Sequence, residues 1–215
     1  QWRTPQYVVL PETTEEVQKI VVSARAHRVP ITIESTRITG YSIPSRGGIQ
    51  IDLRKMDKIL DIDEENMTAT VEPSVTIAQL SCEAQKRNMY FPVPGGPGTV
   101  SVLNQYAAEG VAKSRRFSCG VAARSLVGLE MVLPDGTIFT AGSKAQMGIP
   151  KDFWAYGPGP ILTYLARGAY ASLGIVTKAT IKLWPLESEL KTFWVYYDDI
   201  EGAAKCQKML SPLEC

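Results

Sequence analysis

Residues 7–53 alternate three short β-branched runs with one capped amphipathic helix, and that alternation dictates how the chain must begin to fold. Residues 7–10 (Tyr-Val-Val-Leu) read as an apolar strand. Thr13 opens Thr-Thr-Glu-Glu, so Thr13 and Glu16 predict a capping box at a helix start. Val17, Ile20, Val21 and Ala24 then follow at i, i+3, i+4 and i+7, the spacing of a single helix face. Residues 30–33 (Pro-Ile-Thr-Ile) and, after Gly47-Gly48, residues 49–53 read as the next two strands. A strand–helix–strand run with short links is a crossover unit, and it requires a small parallel sheet.

From residue 59 the texture changes. Residues 59–62 and 68–71 predict neighbouring strands joined through Glu64-Glu65-Asn66, and residues 75–87 a helix with Ile77, Leu80 and Ala84 on one face. Residues 91–99 hold three prolines and three glycines, so they form a loop of fixed, unusual backbone angles. Residues 127–133, the Pro134-Asp135-Gly136 turn and residues 137–140 predict a β-hairpin. Residues 161–167 read as helical, and 173–183 as a strand rich in β-branched residues. A last strand, 193–197, and helix, 200–210, find no partners in the chain and read as the first piece of a further domain. The expected organisation is α+β in three parts: 1–58, 59–187 and 188–215.

Composition then removes whole classes of function. With 23 Lys+Arg against 22 Asp+Glu over 215 residues, the chain has no electrostatic footprint for nucleic acid. No apolar run approaches the roughly 18–20 residues that cross a bilayer. The start, Gln1-Trp2-Arg3-Thr4-Pro5, carries neither an initiator Met nor an apolar leader, which predicts the interior of a longer, cytoplasmic protein. Cys82, Cys119, Cys206 and Cys215 form no C-x-x-C pair, so neither a metal site nor a disulfide framework is expected. His27 is the only histidine and sits at the polar end of the first helix, the place of a surface or helix-end residue. Without G-x-S-x-G, hydrolase chemistry has nothing to stand on. G-x-G-x-x-G and the P-loop motif are absent too.

What remains is three irregular loops. Glu34 to Tyr41 follows a strand directly, and its backbone amides, hydroxyls and the Arg37 guanidinium suit a diphosphate; a plain polar connection is the competing reading. Residues 92–104 carry Gly95, Gly96 and Gly98, which let backbone approach a flat ligand or make a structural turn. Residues 168–177 contain Gly174 at the start of the long strand.

In this order and spacing the chain resembles the FAD-binding domain of the vanillyl-alcohol oxidase and p-cresol methylhydroxylase flavoproteins, a superfamily that includes glycolate oxidase D-subunits and D-lactate dehydrogenases. The resemblance runs from Val9-Leu10-Pro11-Glu12-Thr13 to Leu183-Trp184-Pro185. It is carried by Asp52-Leu53-Arg54-Lys55-Met56, by Gly128-Leu129-Glu130-Met131-Val132-Leu133-Pro134-Asp135-Gly136, and by Tyr156-Gly157-Pro158-Gly159-Pro160 followed by Gly174-Ile175-Val176-Thr177-Lys178. It implies two α+β subdomains with FAD extended between them and a substrate-holding cap beyond, so that the catalytic residues fall outside this stretch. Ser35, Thr36, Arg37, Ile38, Thr39, Gly40 and Tyr41 would take the pyrophosphate. Gly95, Gly96, Gly98, Thr99, Ser101, Asn104, Gln105, Gly120 and Ala122 would line the ribityl chain and flavin. Gly174, Ile175 and Val176 would touch flavin or adenine through their backbone.

The implied activity is flavin-dependent dehydrogenation of a small alcohol, either an aromatic alcohol or phenol or a 2-hydroxy acid. The implied partners are an organic substrate and a second copy or an electron-acceptor protein. The chain also departs from the family. Its first loop keeps only Gly40 and places Glu34 near the phosphates, Asn104-Gln105 replaces a Gly-Asn pair, and Ala169-Tyr170-Ala171 precedes Gly174. No His or Cys stands where relatives link flavin covalently, so FAD is expected to be non-covalent. These departures keep open a diverged, non-catalytic subunit of a larger complex.

Overall fold

The computed structural model describes residues 4–36, 44, 46–93, 96–109, 120–155, 160–189, 191 and 193–210. The N-terminal unit is as the alternation requires. Strands β1 (Tyr7–Val9), β2 (Ile31–Glu34) and β3 (Ile49–Asp52) form a parallel sheet in the order β1-β3-β2, with Ile31 opposite Ile49 and Glu34 opposite Asp52. Gly48 has to be glycine here. Its φ is +87°, and a Cβ would stand 2.1 Å from the Pro30 carbonyl oxygen.

Helix α1 (Thr14–Ala26) buries Val17, Val21 and Ala24 as the periodicity predicts. Its capping box is only half formed. Thr13 Oγ1 accepts the Glu16 N–H at 3.2 Å, but the Glu16 carboxylate takes the N–H of Glu12 (2.7 Å) rather than that of Thr13. His27 is its exposed C-cap, with Nδ1 2.9 Å from the Ser23 carbonyl oxygen.

Strands β4 (Ile59–Asp63), β5 (Thr68–Val71), β7 (Leu126–Val132), β8 (Ile138–Ala141) and β9 (Ile175–Lys182) form an antiparallel sheet in the order β4-β5-β9-β7-β8. The longest strand, β9, lies at its centre between two hairpins, which accounts for its β-branched composition. Helix α2 (Ile77–Gln85) starts two residues later than the sequence predicts, because Thr76 and Gln79 complete a true capping box there. Its Leu80 and Ala84 join Phe91, Tyr106, Leu129 and Ile181 in the main core. A second core sits under α1, where Val17, Val21 and Ile51 of the small unit meet Val132 and Ile175 of the large sheet.

Four expectations are corrected. The loop read over residues 92–104 ends earlier, because Val102 and Leu103 begin a helix that widens into a π-type turn over Asn104–Glu109. Residues 161–167 form only a short 3₁₀ helix, Leu162–Ala166. Trp184 and Pro185, read as lying beyond the strand 173–183, form a short strand of their own: β10 (Trp184–Pro185) pairs antiparallel with β6 (Met89–Tyr90). Residues 193–197 join no ladder among the described residues, and Phe193, Trp194, Val195 and Tyr196 are largely exposed. Their β propensity alone does not pair them. Helix α3 (Ile200–Leu210) follows as expected. No described helix is long and apolar enough to cross a membrane.

Candidate functional site

The C-terminal end of β2, the wide helix after Ser101 and the start of β9 converge on one cleft of about 300 Å³. The small sheet contributes residues 31–35 and Leu53. The wide helix contributes Leu103, Asn104 and Ala107, the large sheet Met131, Ile175 and Val176, and the segment before β9 supplies Ala166 and residues 169–172. The lining is mixed: Ile33, Leu53, Leu103, Met131 and Val176 are apolar, and Thr32, Glu34, Ser35, Ser101 and Asn104 are polar. That mixture suits a ligand with a flat apolar ring and a polar chain, and so the residues present fit FAD.

Of the residues singled out in the sequence, Ser35, Ser101, Asn104, Gly174, Ile175 and Val176 line this cleft. Thr36 stands at its edge and ties two of the loops together, its Oγ1 accepting the Ser101 N–H at 3.2 Å. Ser101 is fully buried; its hydroxyl donates to the Pro73 carbonyl oxygen (2.5 Å) and accepts the Asn104 N–H (3.3 Å). It therefore starts the wide helix as well as facing the cleft. Gly96, Gly98 and Thr99 are exposed and do not line it. Gln105, Gly120 and Ala122 also lie off the lining, and Ala122 belongs to the main core. Arg37, Ile38, Thr39, Gly40, Tyr41 and Gly95 lie outside the described residues, as do Tyr156, Gly157, Pro158 and Gly159.

Glu34 is buried in the lining of the cleft, and its Oε2 takes a hydrogen bond from Gln50 Nε2 on the neighbouring strand. Its register partner Asp52 is fully buried and held by Arg54, whose Nε and Nη2 both close on Oδ2 at 2.8 and 2.5 Å. The small sheet thus carries acidic groups at its ligand end and fixes them with its own donors.

Across from it, Ala169–Ser172 is a tight turn whose central residues, Tyr170 (φ +44°) and Ala171 (φ +62°), are both left-handed, and the Ser172 N–H closes it on the Ala169 carbonyl oxygen at 2.8 Å. Two consecutive non-glycine residues in that region store strain on the cleft's wall. The sequence reading marked residues 168–177 but missed Leu103, Met131 and Ala166, which look like ordinary core positions.

What keeps the two sheets in place is Glu130 on β7. Its Oε1 accepts from Thr14 Oγ1 of α1 (2.8 Å) and Thr177 Oγ1 of β9 (3.0 Å), and lies 2.8 Å from Lys178 Nζ. Burial pushes its carboxyl pKa up, but the bonds from Lys178, Thr14 and Thr177 outweigh that and hold it below its usual value. Gln18 Nε2 adds a second tie, donating to the Gly136 carbonyl oxygen at 2.7 Å. Both ties join the small unit to the β7–β8 hairpin.

Residues 5–142 match the family described as FAD binding domain. The chain is 33% identical over 210 residues to glycolate oxidase subunit GlcD of Bacillus subtilis, covering 94% of this chain and 43% of that protein. It is 30% identical over 203 residues to a probable mitochondrial D-lactate dehydrogenase of Danio rerio, covering 94% and 39%. The crystal structure of p-cresol methylhydroxylase superposes with a TM-score of 0.83 at 28% identity, over 96% of this chain and 40% of that one. The chain spans about two fifths of the length of these relatives.

Proposed function

The chain belongs to the family of FAD-binding domains, and from that premise we propose that it is the cofactor-binding part of a flavin-dependent oxidoreductase that dehydrogenates a small alcohol. The observation that carries this reading is the cleft between the sheets, lined by both apolar and polar residues. Bound there, FAD supplies two-electron chemistry, acceptance of a hydride from the alcohol carbon. The chain's own residues bind and orient it. Ser35, Thr36 and the loop to Tyr41 take the pyrophosphate, Asn104 and the wide helix face the ribityl chain, and Gly174, Ile175 and Val176 form the backbone floor. Leu103, Ala107 and Met131 keep water from the ring.

The substrate is a 2-hydroxy acid or an aromatic alcohol, in line with the relatives named glycolate oxidase, D-lactate dehydrogenase and p-cresol methylhydroxylase. Residues 1–58 and 59–187 are the two cofactor-binding subdomains. Residues 188–215 begin a cap, supported by the uncovered Phe193-Trp194-Val195-Tyr196 run. The compartment is the cytoplasm, and an electron-acceptor protein or a second copy is the macromolecular partner.

FAD is held non-covalently, since among the described residues no Cys or His lines the cleft. The purified intact protein is expected to show the visible spectrum of oxidised flavin and to release it on acid precipitation. Flavin that stays on this chain after denaturation overturns the non-covalent reading. The buried Glu34 favours the other reading, a flavin-free relative, and failure to bind FAD at micromolar concentration selects it.

A further inference from the structure

A closed ring of hydrogen bonds runs along one part of the cleft's lining. The Leu53 N–H donates to the Glu34 carbonyl oxygen (2.8 Å), and the Leu53 carbonyl oxygen accepts the Ser74 hydroxyl (2.9 Å). Pro73, the chain neighbour of Ser74, gives its carbonyl oxygen to the Ser101 hydroxyl (2.5 Å). The Ser101 N–H then donates to Thr36 Oγ1 (3.2 Å), and Thr36 leads back through Ser35 to Glu34. Four hydrogen bonds and short lengths of chain complete the circuit.

Glu34, Ser35, Leu53, Pro73 and Ser101 of this ring line the cleft, whereas Thr36 and Ser74 are not among its lining residues. Ser74 and Ser101 are buried, and a buried hydroxyl costs stability unless it is bonded; here both are. The ring joins parts far apart in the chain: Thr36 and Ser101 are separated by 65 residues, Pro73 and Ser101 by 28. It carries one branch, the Asn104 N–H on Ser101 Oγ (3.3 Å), so the start of the wide helix hangs on it. The residues after β2 and the helix of the other unit are therefore held at one spacing by the chain's own bonds.

We propose that Thr36 and Ser74 are positioning residues for the cofactor: through the ring they hold Ser35 and Asn104, which both line the cleft, in register for one ligand. The inference rests on the flavin reading and deepens it. Neither positioning side chain has to touch FAD. A wall that is already aligned raises affinity, because binding no longer has to order its two segments. Thr36 Oγ1 is the most accessible link, since Thr36 is half-buried and its bond is the longest of the four. A ring is opened by a break at any link, and a second break then adds little.

The test titrates FAD by fluorescence into the intact protein and into Thr36→Val, Thr36→Ser, Ser74→Ala and the double variant of Thr36→Val with Ser74→Ala. Thr36→Val keeps the shape and removes the acceptor, so it should weaken FAD by up to about tenfold, the yield of one neutral hydrogen bond. Thr36→Ser restores the oxygen and recovers most of that loss. Ser74→Ala should weaken FAD a few-fold although Ser74 stands off the lining. The double variant should bind within about twofold of the weaker single, because the ring is already open.

Amide hydrogen exchange in FAD-free protein reads the ring by itself. Thr36→Val should speed exchange at Ser101 and at Asn104, whereas a hydroxyl that acted only by touching FAD would leave Asn104 unchanged. That measurement and the Thr36→Ser rescue decide the case if Ser74→Ala does not fold. The proposal is overturned if the two single losses add in the double variant, if Thr36→Ser binds as weakly as Thr36→Val, or if Asn104 exchanges at the wild-type rate. Wild type that fails to bind FAD at micromolar concentration overturns the flavin reading and this inference with it. Wild type that binds FAD while the losses add overturns this inference alone.

Discussion

The outer face of the large sheet and the wall of the cleft draw on similar residue types and are finished in opposite ways. On the outer face Glu130, Lys151 and Asp152 are all answered. Glu130 meets Thr14, Thr177 and Lys178, and Lys151 lies 2.8 Å from Asp61 and 3.3 Å from Asp63. Asp152, which burial pushes toward the neutral form, accepts the Lys144 N–H at 2.7 Å. On the cleft's wall, two consecutive non-glycine residues, Tyr170 and Ala171, sit in left-handed backbone. The first pattern is what architecture needs. The second costs stability, and it borders the cleft.

The largest effect should come from breaking the finished face. Gly128 on β7 has no room for a side chain, because a Cβ there would stand 2.2 Å from the Asp152 carboxylate, which also crowds the Cβ position of Gly142 at 2.5 Å. Gly128→Ala must evict Asp152 from its seat and should cost about 3 kcal/mol or more, the scale of overpacking plus a broken buried bond. The double variant with Asp152→Ala should lose less than the sum of the singles in denaturant unfolding. Strict additivity would show that the two residues do not compete for the space.

Glu130→Ala comes next. It removes the acceptor shared by three donors and unties α1 from β7, for an expected cost of about 2–3 kcal/mol. Because that tie spans the two sheets bounding the cleft, FAD affinity should fall as well, by about tenfold or less. A stability loss with FAD affinity unchanged would mean that the hydrophobic contacts of Val132 and Ile175 alone set the cleft's width.

How much of this could be read beforehand depends on the range of the interaction. Local signals were legible: the 3.6-residue spacing from Val17 to Ala24, the hairpin around Pro134-Asp135-Gly136, and Thr68–Val71 as a strand. Pairing across long separations was not. Nothing around Trp184 announces Met89–Tyr90 as its neighbour, and the aromatic run at 193–197 looks like a strand because propensity says nothing about whether an edge awaits it. The same holds at the site. Ser35, Asn104 and Gly174 stood out as loop residues and do meet at the cleft, whereas Met131 carries no loop signal at all.

The unfinished wall should respond in the opposite sense. Ala171 holds φ +62° with a Cβ that glycine would lack, so Ala171→Gly should stabilise the ligand-free protein by roughly 0.5–1 kcal/mol. Part of that gain is offset by the greater freedom of glycine in the unfolded chain. The same change in regular structure would destabilise, so a raised melting temperature identifies the turn as strained. A lowered one would show that the methyl group packs against something the fold needs.

A last effect of similar size is a pH slope on the finished face. Asp63 caps the β4–β5 turn: Oδ1 accepts the Asn66 N–H at 2.9 Å and Oδ2 accepts Asn66 Nδ2 at 3.1 Å, while Met67 turns the chain at φ +50°. The Asn66 backbone N–H, then its side chain and Lys151, bring the Asp63 pKa down from 3.8 to about 2. A carboxyl depressed in the folded state stabilises the protein above its unfolded pKa and loses that contribution as pH falls through the folded one. Wild type should therefore shed stability between about pH 3.8 and about pH 2. Asp152, shifted the other way by burial, works against that loss. Asp63→Asn keeps an acceptor for the backbone bond but not the charge. It should be less stable than wild type by on the order of 1 kcal/mol at pH 7, and the gap should close as the pH approaches 2. Urea midpoints for the two proteins that run parallel across that range would mean that Asp63 is held by shape alone and that its charge contributes nothing to the turn.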